Sequence, residues 1–401
     1  MWKSIAAFAI TISIVGNSSA GDWPQFRGPD GAGIADERYL PDTWSLKDNV
    51  RWKVEIPGRS VASPVVVGGR VYVAAASGIN NDKLHVLCFD AKEGKTLWHR
   101  QLNATGNSGC HPKSSMAAPT PVATEDGVFV LFATADLVAF DKEGNLKWYR
   151  SLAGDYPKIA NQVGMASSPI VCNDALIVPM DSDGESFLAA LDINDGRNRW
   201  KVDRPKDINW VTPALRKVGD KTEVLFQSRL GLTAYDSLDG KKRWSHATDG
   251  GTSPMPVMMG DQVLMMGKGV VCLKPNAEGK PDVLWTSPKL SSGFCTPLVY
   301  GDNIYNVSSA GVLVCTDKAG KEVWQERLKK GKYWASPIAS DGKIFVANDE
   351  GIVTVVRAGG ERAEVLGTND LKDEIMGTPA IADGAIYIQT VKGLYCIGAK
   401  K

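Results

Sequence analysis

Residues 313–324 read LVCTDKAGKEVW, and residues 336–346 read SPIASDGKIFV. In the first stretch an apolar run ends in Asp317, turns through Gly320 and returns as a run bearing Trp324. Glycine supplies the positive φ of a tight turn, and the Asp side chain bonds the turn's own backbone. In the second stretch Pro337 opens an apolar run, Asp341 and Gly342 turn it, and another apolar run follows. Together they encode two hairpins, hence four short antiparallel strands.

The unit repeats. Pro-led hairpins begin at Pro64, Pro121, Pro169, Pro213, Pro256, Pro297, Pro337 and Pro379, a mean period of about 45 residues, which is that of four-stranded propeller blades. The fourth copy carries an insertion in its turn, TPALRKVGDKTEVLF from Thr212. Between the prolines the Asp, Gly, Trp element recurs with Trp98, Trp148, Trp200, Trp244, Trp285 and Trp324. Each indole is expected to lie flat between neighbouring blades with its N–H on a backbone acceptor.

The two ends of the chain complete the count. Leu366 stands where the seventh Trp would be, and the eighth copy stops after LYCIGAKK without a fourth strand. The segment NVRWKVEI, residues 49–56, places Trp52 twelve residues ahead of Pro64, the spacing of the later copies. This segment is predicted to close the last blade, removing a free strand edge. The expected fold is all-β: an eight-bladed propeller of four-stranded antiparallel blades over 49–401, preceded by a lead-in at 21–48 that is a strap or a tail.

Composition bounds the function. With 43% hydrophobic and 23% charged residues the 401-residue chain can bury a sizeable core. A formal charge of +1 supplies no field for nucleic acid. Residues 1–20, MWKSIAAFAITISIVGNSSA, have Lys3, an apolar run from Ile5 to Val15, and small residues at Ser18 and Ala20, the pattern of a secretory signal peptide. That run is too short for a transmembrane span. A soluble, monomeric, exported protein of the periplasm or exterior is expected. Of seven Cys, an odd number for an exported chain, Cys88, Cys272, Cys315 and Cys396 sit in apolar runs and read as small buried hydrophobes.

The repeated strand, Asp, Gly, Trp pattern resembles the Trp-docking repeat of pyrroloquinoline quinone (PQQ) propellers, the family that includes BamB-like and quinoprotein dehydrogenase propellers. The resemblance covers nearly all of residues 49–397, and DWPQFRGPDGAGIA at 22–35 is similar to the lead-in of exported PQQ-like repeat proteins. It implies the propeller fold. For the dehydrogenases it also implies PQQ under a disulfide of adjacent cysteines, with calcium on acidic and amide side chains. This sequence has no adjacent Cys pair and little beyond its blades to build a substrate chamber. No Cys follows the expected cleavage point for lipid attachment of the BamB kind.

Residues just ahead of each Pro-led strand are expected to gather at one mouth of the channel, because that strand is innermost and all eight start on one face. The candidates for ligand binding are Arg59; His111, Lys113 and Met116; Asn161 and Gln162; Asn209 and Trp210; Phe294; Tyr333 and Trp334; and Glu374. Flat aromatic faces with a few directional polar groups suit a concave ligand site. Cys110 and His111 crowd one long loop, but adjacent loop residues need not face each other, and no catalytic residue is assigned. The four His, at 85, 99, 111 and 246, are not spaced as metal ligands. The acidic run MDSDGES at 180–186 reads as an exposed hairpin tip rather than a calcium loop.

A non-catalytic binding or scaffold module for a protein, peptide or glycan is therefore the leading expectation, with no cofactor. The alternative is a PQQ-dependent alcohol or sugar dehydrogenase holding PQQ with calcium in a slot by Trp210 or Trp334, with Arg59 or Lys113 on the quinone carboxylates.

Overall fold

The computed structural model describes residues 21–160, 164–276, 279–291 and 293–399. The signal-peptide reading of residues 1–20 lies outside this range, as do Asn161 and Gln162. No helix among the described residues is long and apolar enough to cross a membrane.

The described residues form eight four-stranded antiparallel sheets, the blades of a propeller. Seven are built from consecutive strands. The eighth runs outward through Ala380–Ala382, Ala385–Gln389 and Gly393–Ile397 to Val50–Glu55, so strands from both ends of the chain share one sheet. Trp52 stands opposite Cys396 in that pairing, and the ring closes as the spacing ahead of Pro64 predicts. Innermost strands are three residues long in seven blades, as in Ile338–Ser340, because proline and the following turn confine them. The fourth blade, with the inserted turn, has the longer Ala214–Val218.

The core lies between blades. Second and third strands are buried on both faces, as in Gly127–Leu131, while fourth strands such as Leu146–Ser151 fully bury only their Trp. Five of these Trp side chains bridge to the next blade by a hydrogen bond. Trp52, Trp98, Trp148, Trp200 and Trp324 donate Nε1–H to the carbonyls of Ala91, Lys142, Ile193, Ser237 and Gly359. Trp244 departs from the pattern, donating to the Glu223 carboxylate of its own blade. Trp285 is half-buried and rests on Gly320. Cys88, Cys272, Cys315 and Cys396 are buried free thiols, each pushed up to about 11 by desolvation.

The lead-in is a strap. Trp23 exchanges backbone hydrogen bonds with Val66 of the first blade, and Ala123 of the second donates to the Pro24 carbonyl. The chain then crosses the channel axis to the seventh blade, where Ala35 and Gly33 bond Ala339. Midway, the fully buried Arg27 donates to the carbonyls of Gly31, Ala32, Thr296, Pro297 and Pro337. One face of the ring is thereby floored.

Candidate functional site

Side chains alternate along an extended strand, so residues one and three places ahead of each repeat proline point the same way. The residues three places ahead line the open mouth. Trp210, Phe294, Trp334 and Met376 form an apolar arc, and the smaller Val61, Ala118, Ala166 and Ser253 complete the circle. With His111, Lys113 and Ser114 from the long loop of the second blade they enclose a cavity of about 360 Å³. Phe294 and Trp334 stack, with centroids 4.1 Å apart and planes 22° from parallel. Trp210 is fixed by its Nε1–H to the Gly164 carbonyl at 3.0 Å. The Trp334 Nε1–H is buried without a partner among the described residues.

The rim beside the first and last blades is charged but self-paired. Lys113 Nζ lies 2.7 Å from Glu374 and 3.9 Å from Asp349, and Arg59 lies 3.4 Å from Glu374. The hydrogen bond that Lys113 donates to the Glu374 carboxylate holds its ammonium above its ordinary pKa. Arg59 also donates to the Ser114 carbonyl, tying the long loop down. His111 accepts the Lys113 backbone N–H at Nδ1, 3.1 Å, closing its own turn.

Below the mouth the residues one place ahead of seven of the eight prolines line a throat of about 90 Å³, floored by Phe26 of the strap. Ser63 donates its backbone N–H to the Thr120 hydroxyl, Thr120 to Ser168, and Ser168 to Thr212. Beyond Met255, which replaces the hydroxyl in the fifth blade, the belt resumes: Met255 donates to Thr296, Thr296 to Ser336, and Ser336 to Thr378. This belt locks blade to blade around the axis. It also leaves six hydroxyls that accept a bond and, among the described residues, give their own proton to no protein acceptor.

Of the residues expected at the mouth, His111, Lys113, Trp210, Phe294 and Trp334 line the cavity, and Arg59 and Glu374 stand at its rim. Met116, Asn209 and Tyr333 do not. Met116 is buried in the core between the first two blades. Asn209 and Tyr333 fall four places ahead of their prolines and point into the walls: Asn209 donates to Asp181 and the Gln227 carbonyl, and Tyr333 packs under Gly311 with its hydroxyl on Lys329. The acidic run does turn between two paired strands with Asp183 exposed, but Asp181 is buried and bonded bidentately by Arg204 at 2.8 and 3.0 Å. Val61, Ala118 and Ala166 escaped the sequence reading because they carry no polar chemistry; their register three places ahead of proline is the signal that finds them.

The profile of the family described as outer membrane protein assembly factor BamB matches residues 47–178, 158–320 and 309–398. The chain belongs to this PQQ-like propeller family. Among curated relatives, this PQQ-like propeller is 27% identical over 193 residues to a polyvinylalcohol dehydrogenase of a Pseudomonas species, covering 43% of this chain and only 28% of that protein. It is 24% identical over 341 residues to the outer membrane protein assembly factor BamB of Burkholderia pseudomallei, covering 84% of this chain and 72% of the relative. Among solved structures, the quinohemoprotein alcohol dehydrogenase of Comamonas testosteroni superposes with a TM-score of 0.72 at 13% identity, over 96% of this chain and 82% of that one. BamB of Moraxella catarrhalis gives 0.62 at 16% identity, over 88% and 97%. At such identities the structural likeness establishes the fold of the PQQ-like propeller.

Proposed function

We propose that this propeller is a non-catalytic binding module that receives an apolar or aromatic segment of a protein or peptide in its blind-ended mouth. The observation carrying this reading is the arc of Trp210, Phe294, Trp334 and Met376 set over a channel whose far end the strap floors. Large aromatic surfaces in a concave, preformed site bind side chains at low entropic cost. A glycan fits less well, because its hydroxyls need directional partners and the rim's charged groups are bound to one another. With residues 1–20 read as a signal peptide, the site of action is the periplasm or the cell exterior.

The alternative, a PQQ-dependent dehydrogenase, draws on the kinship with the polyvinylalcohol dehydrogenase, which covers 28% of that protein. The residues at the mouth are a poor match for PQQ held with calcium. The rim carboxylates Glu374 and Asp349 are balanced by Lys113 and Arg59, and no three His, Cys, Asp or Glu among the described residues gather as a ligand set. One face of Trp334 is already stacked by Phe294.

The test is retention of a synthetic peptide library on the immobilised protein, compared with the double variant Trp210→Ser, Trp334→Ser. Peptides rich in apolar residues are expected on the parent and lost from the variant. Equal retention by both contradicts the reading.

A further inference from the structure

The throat beneath the mouth is ringed by hydroxyls whose protons are uncommitted. A hydroxyl has one proton to give and two lone pairs. In the belt, one lone pair of each of six hydroxyls takes a backbone N–H from the neighbouring blade, and the proton remains uncommitted. The Ser63 hydroxyl, 1% exposed and lining the same throat, has no partner among the described residues. Trp334, which lines both throat and mouth, carries another buried donor, its Nε1–H, with no partner among the described residues. Buried donors left unsatisfied are costly, so a group that accepts from several at once gains from entering.

A positive charge stands behind this belt. All five hydrogen bonds of Arg27 go to backbone carbonyls, and no ion pair among the described residues includes it. Two of those carbonyls belong to Thr296 and Pro337, the first being itself a belt residue and the second the neighbour of belt residue Ser336. The rim contributes no compensating negative charge, since Lys113 and Arg59 balance Glu374 and Asp349. An unpaired cation in a low-dielectric interior favours an anion nearby.

We propose that the throat binds a carboxylate, borne on an apolar or aromatic body that occupies the mouth. The volume of about 90 Å³ takes one carboxylate with water, not a larger polyanion. The body of the ligand then lies against Trp210, Phe294 and Met376, which rests on the reading of the mouth given above. Two sources share this chemistry: the free C-terminus of a polypeptide ending in an aromatic residue, and a small arylalkanoic acid.

The experiment uses the mature chain and an N-terminally labelled pentapeptide ending in phenylalanine, as free acid and as C-terminal amide, followed by fluorescence anisotropy. The free acid is expected to bind about tenfold or more tighter than the amide, the range of a charge-assisted hydrogen-bond set. In Thr120→Val, Ser336→Ala, and separately in Phe26→Trp, which fills the throat from below, the ratio is expected to collapse towards one while the amide still binds. Competition by 3-phenylpropionate as strong as by the peptide acid assigns the small acid as source; failure of 3-phenylpropionate while the peptide acid binds assigns the chain terminus. Equal binding of acid and amide overturns the throat proposal and leaves the mouth reading standing. Binding of neither peptide nor 3-phenylpropionate overturns both.

Discussion

The guanidinium of Arg27 donates to the carbonyl of Thr296, 3.2 Å away and 269 residues further along the chain. That bond, with its companions to Pro297 and Pro337, pins the strap across the ring and turns a through-channel into a blind cavity. Arg27→Met keeps the length of the side chain and strands several buried carbonyls. A loss of about 3 kcal/mol is expected in urea unfolding. A loss under about 1 kcal/mol would show that the strap is not a structural element of the ring.

Trp98 of the first blade lies against Gly144 of the second so closely that a Cβ there would stand 2.6 Å from the indole, at a φ of +81°. Gly144→Ala therefore combines backbone strain with overpacking, and about 3 kcal/mol of destabilisation is expected. Gly342, at φ +69° with nothing within 4 Å of an added Cβ, is the control. Its Ala variant is expected to lose only about 1 kcal/mol, from strain alone. Equal losses at the two sites would remove the inter-blade contact from the account.

His85 is buried between Ser77, 2.7 Å from its Nε2, and His99, 2.9 Å from its Nδ1. Burial, then the neighbouring His99 and Lys83, pull its pKa down to about 4. Its folded pKa lies below the ordinary value, so the unfolded chain takes up the proton first. The neutral ring's contribution to stability is complete above about pH 6.5 and is lost as pH falls towards about 4. Urea midpoints measured at neutral and mildly acidic pH are expected to diverge in the parent and to converge in His85→Gln. Parallel losses in both proteins would assign the acid sensitivity elsewhere.

Glu374 is the shared partner of Lys113 and Arg59. Because the Lys113 side chain is 49% exposed, Glu374→Gln is expected to change stability by less than about 1 kcal/mol. It leaves the rim net positive, so acidic peptides are expected to bind several-fold more tightly at low salt, with the gain vanishing near about 0.5 M salt. An unchanged affinity at low salt would mean that the rim does not face the ligand's path.

Much of this was legible in the sequence. The eight prolines and the Asp, Gly, Trp hairpins repeat at a period that only a ring of blades accommodates, and the spacing of Trp52 to Pro64 foretold the shared last blade. The site was half legible. Choosing residues by chemistry placed Met116, Asn209 and Tyr333 at the mouth, whereas strand alternation turns Asn209 and Tyr333 into the walls and brings Val61, Ala118 and Ala166 inward, and Met116, five places ahead of its proline, is buried in the core between the first two blades. The strap was not legible, because Arg27 finds its partners hundreds of residues away and no local pattern encodes such contacts. Asp181 misled for the same reason: its partner Arg204 lies 23 residues on, beyond the hairpin that the acidic run suggested.

The central claim, that the mouth binds rather than oxidises, is tested most directly by titrating the mature protein with PQQ and calcium. Quenching of intrinsic Trp fluorescence reports occupancy beside Trp210 and Trp334, and dye reduction with simple alcohols and aldose sugars reports turnover. No saturable quenching and no dye reduction are predicted. Saturable quenching accompanied by dye reduction would contradict the account and make the protein a quinoprotein oxidoreductase.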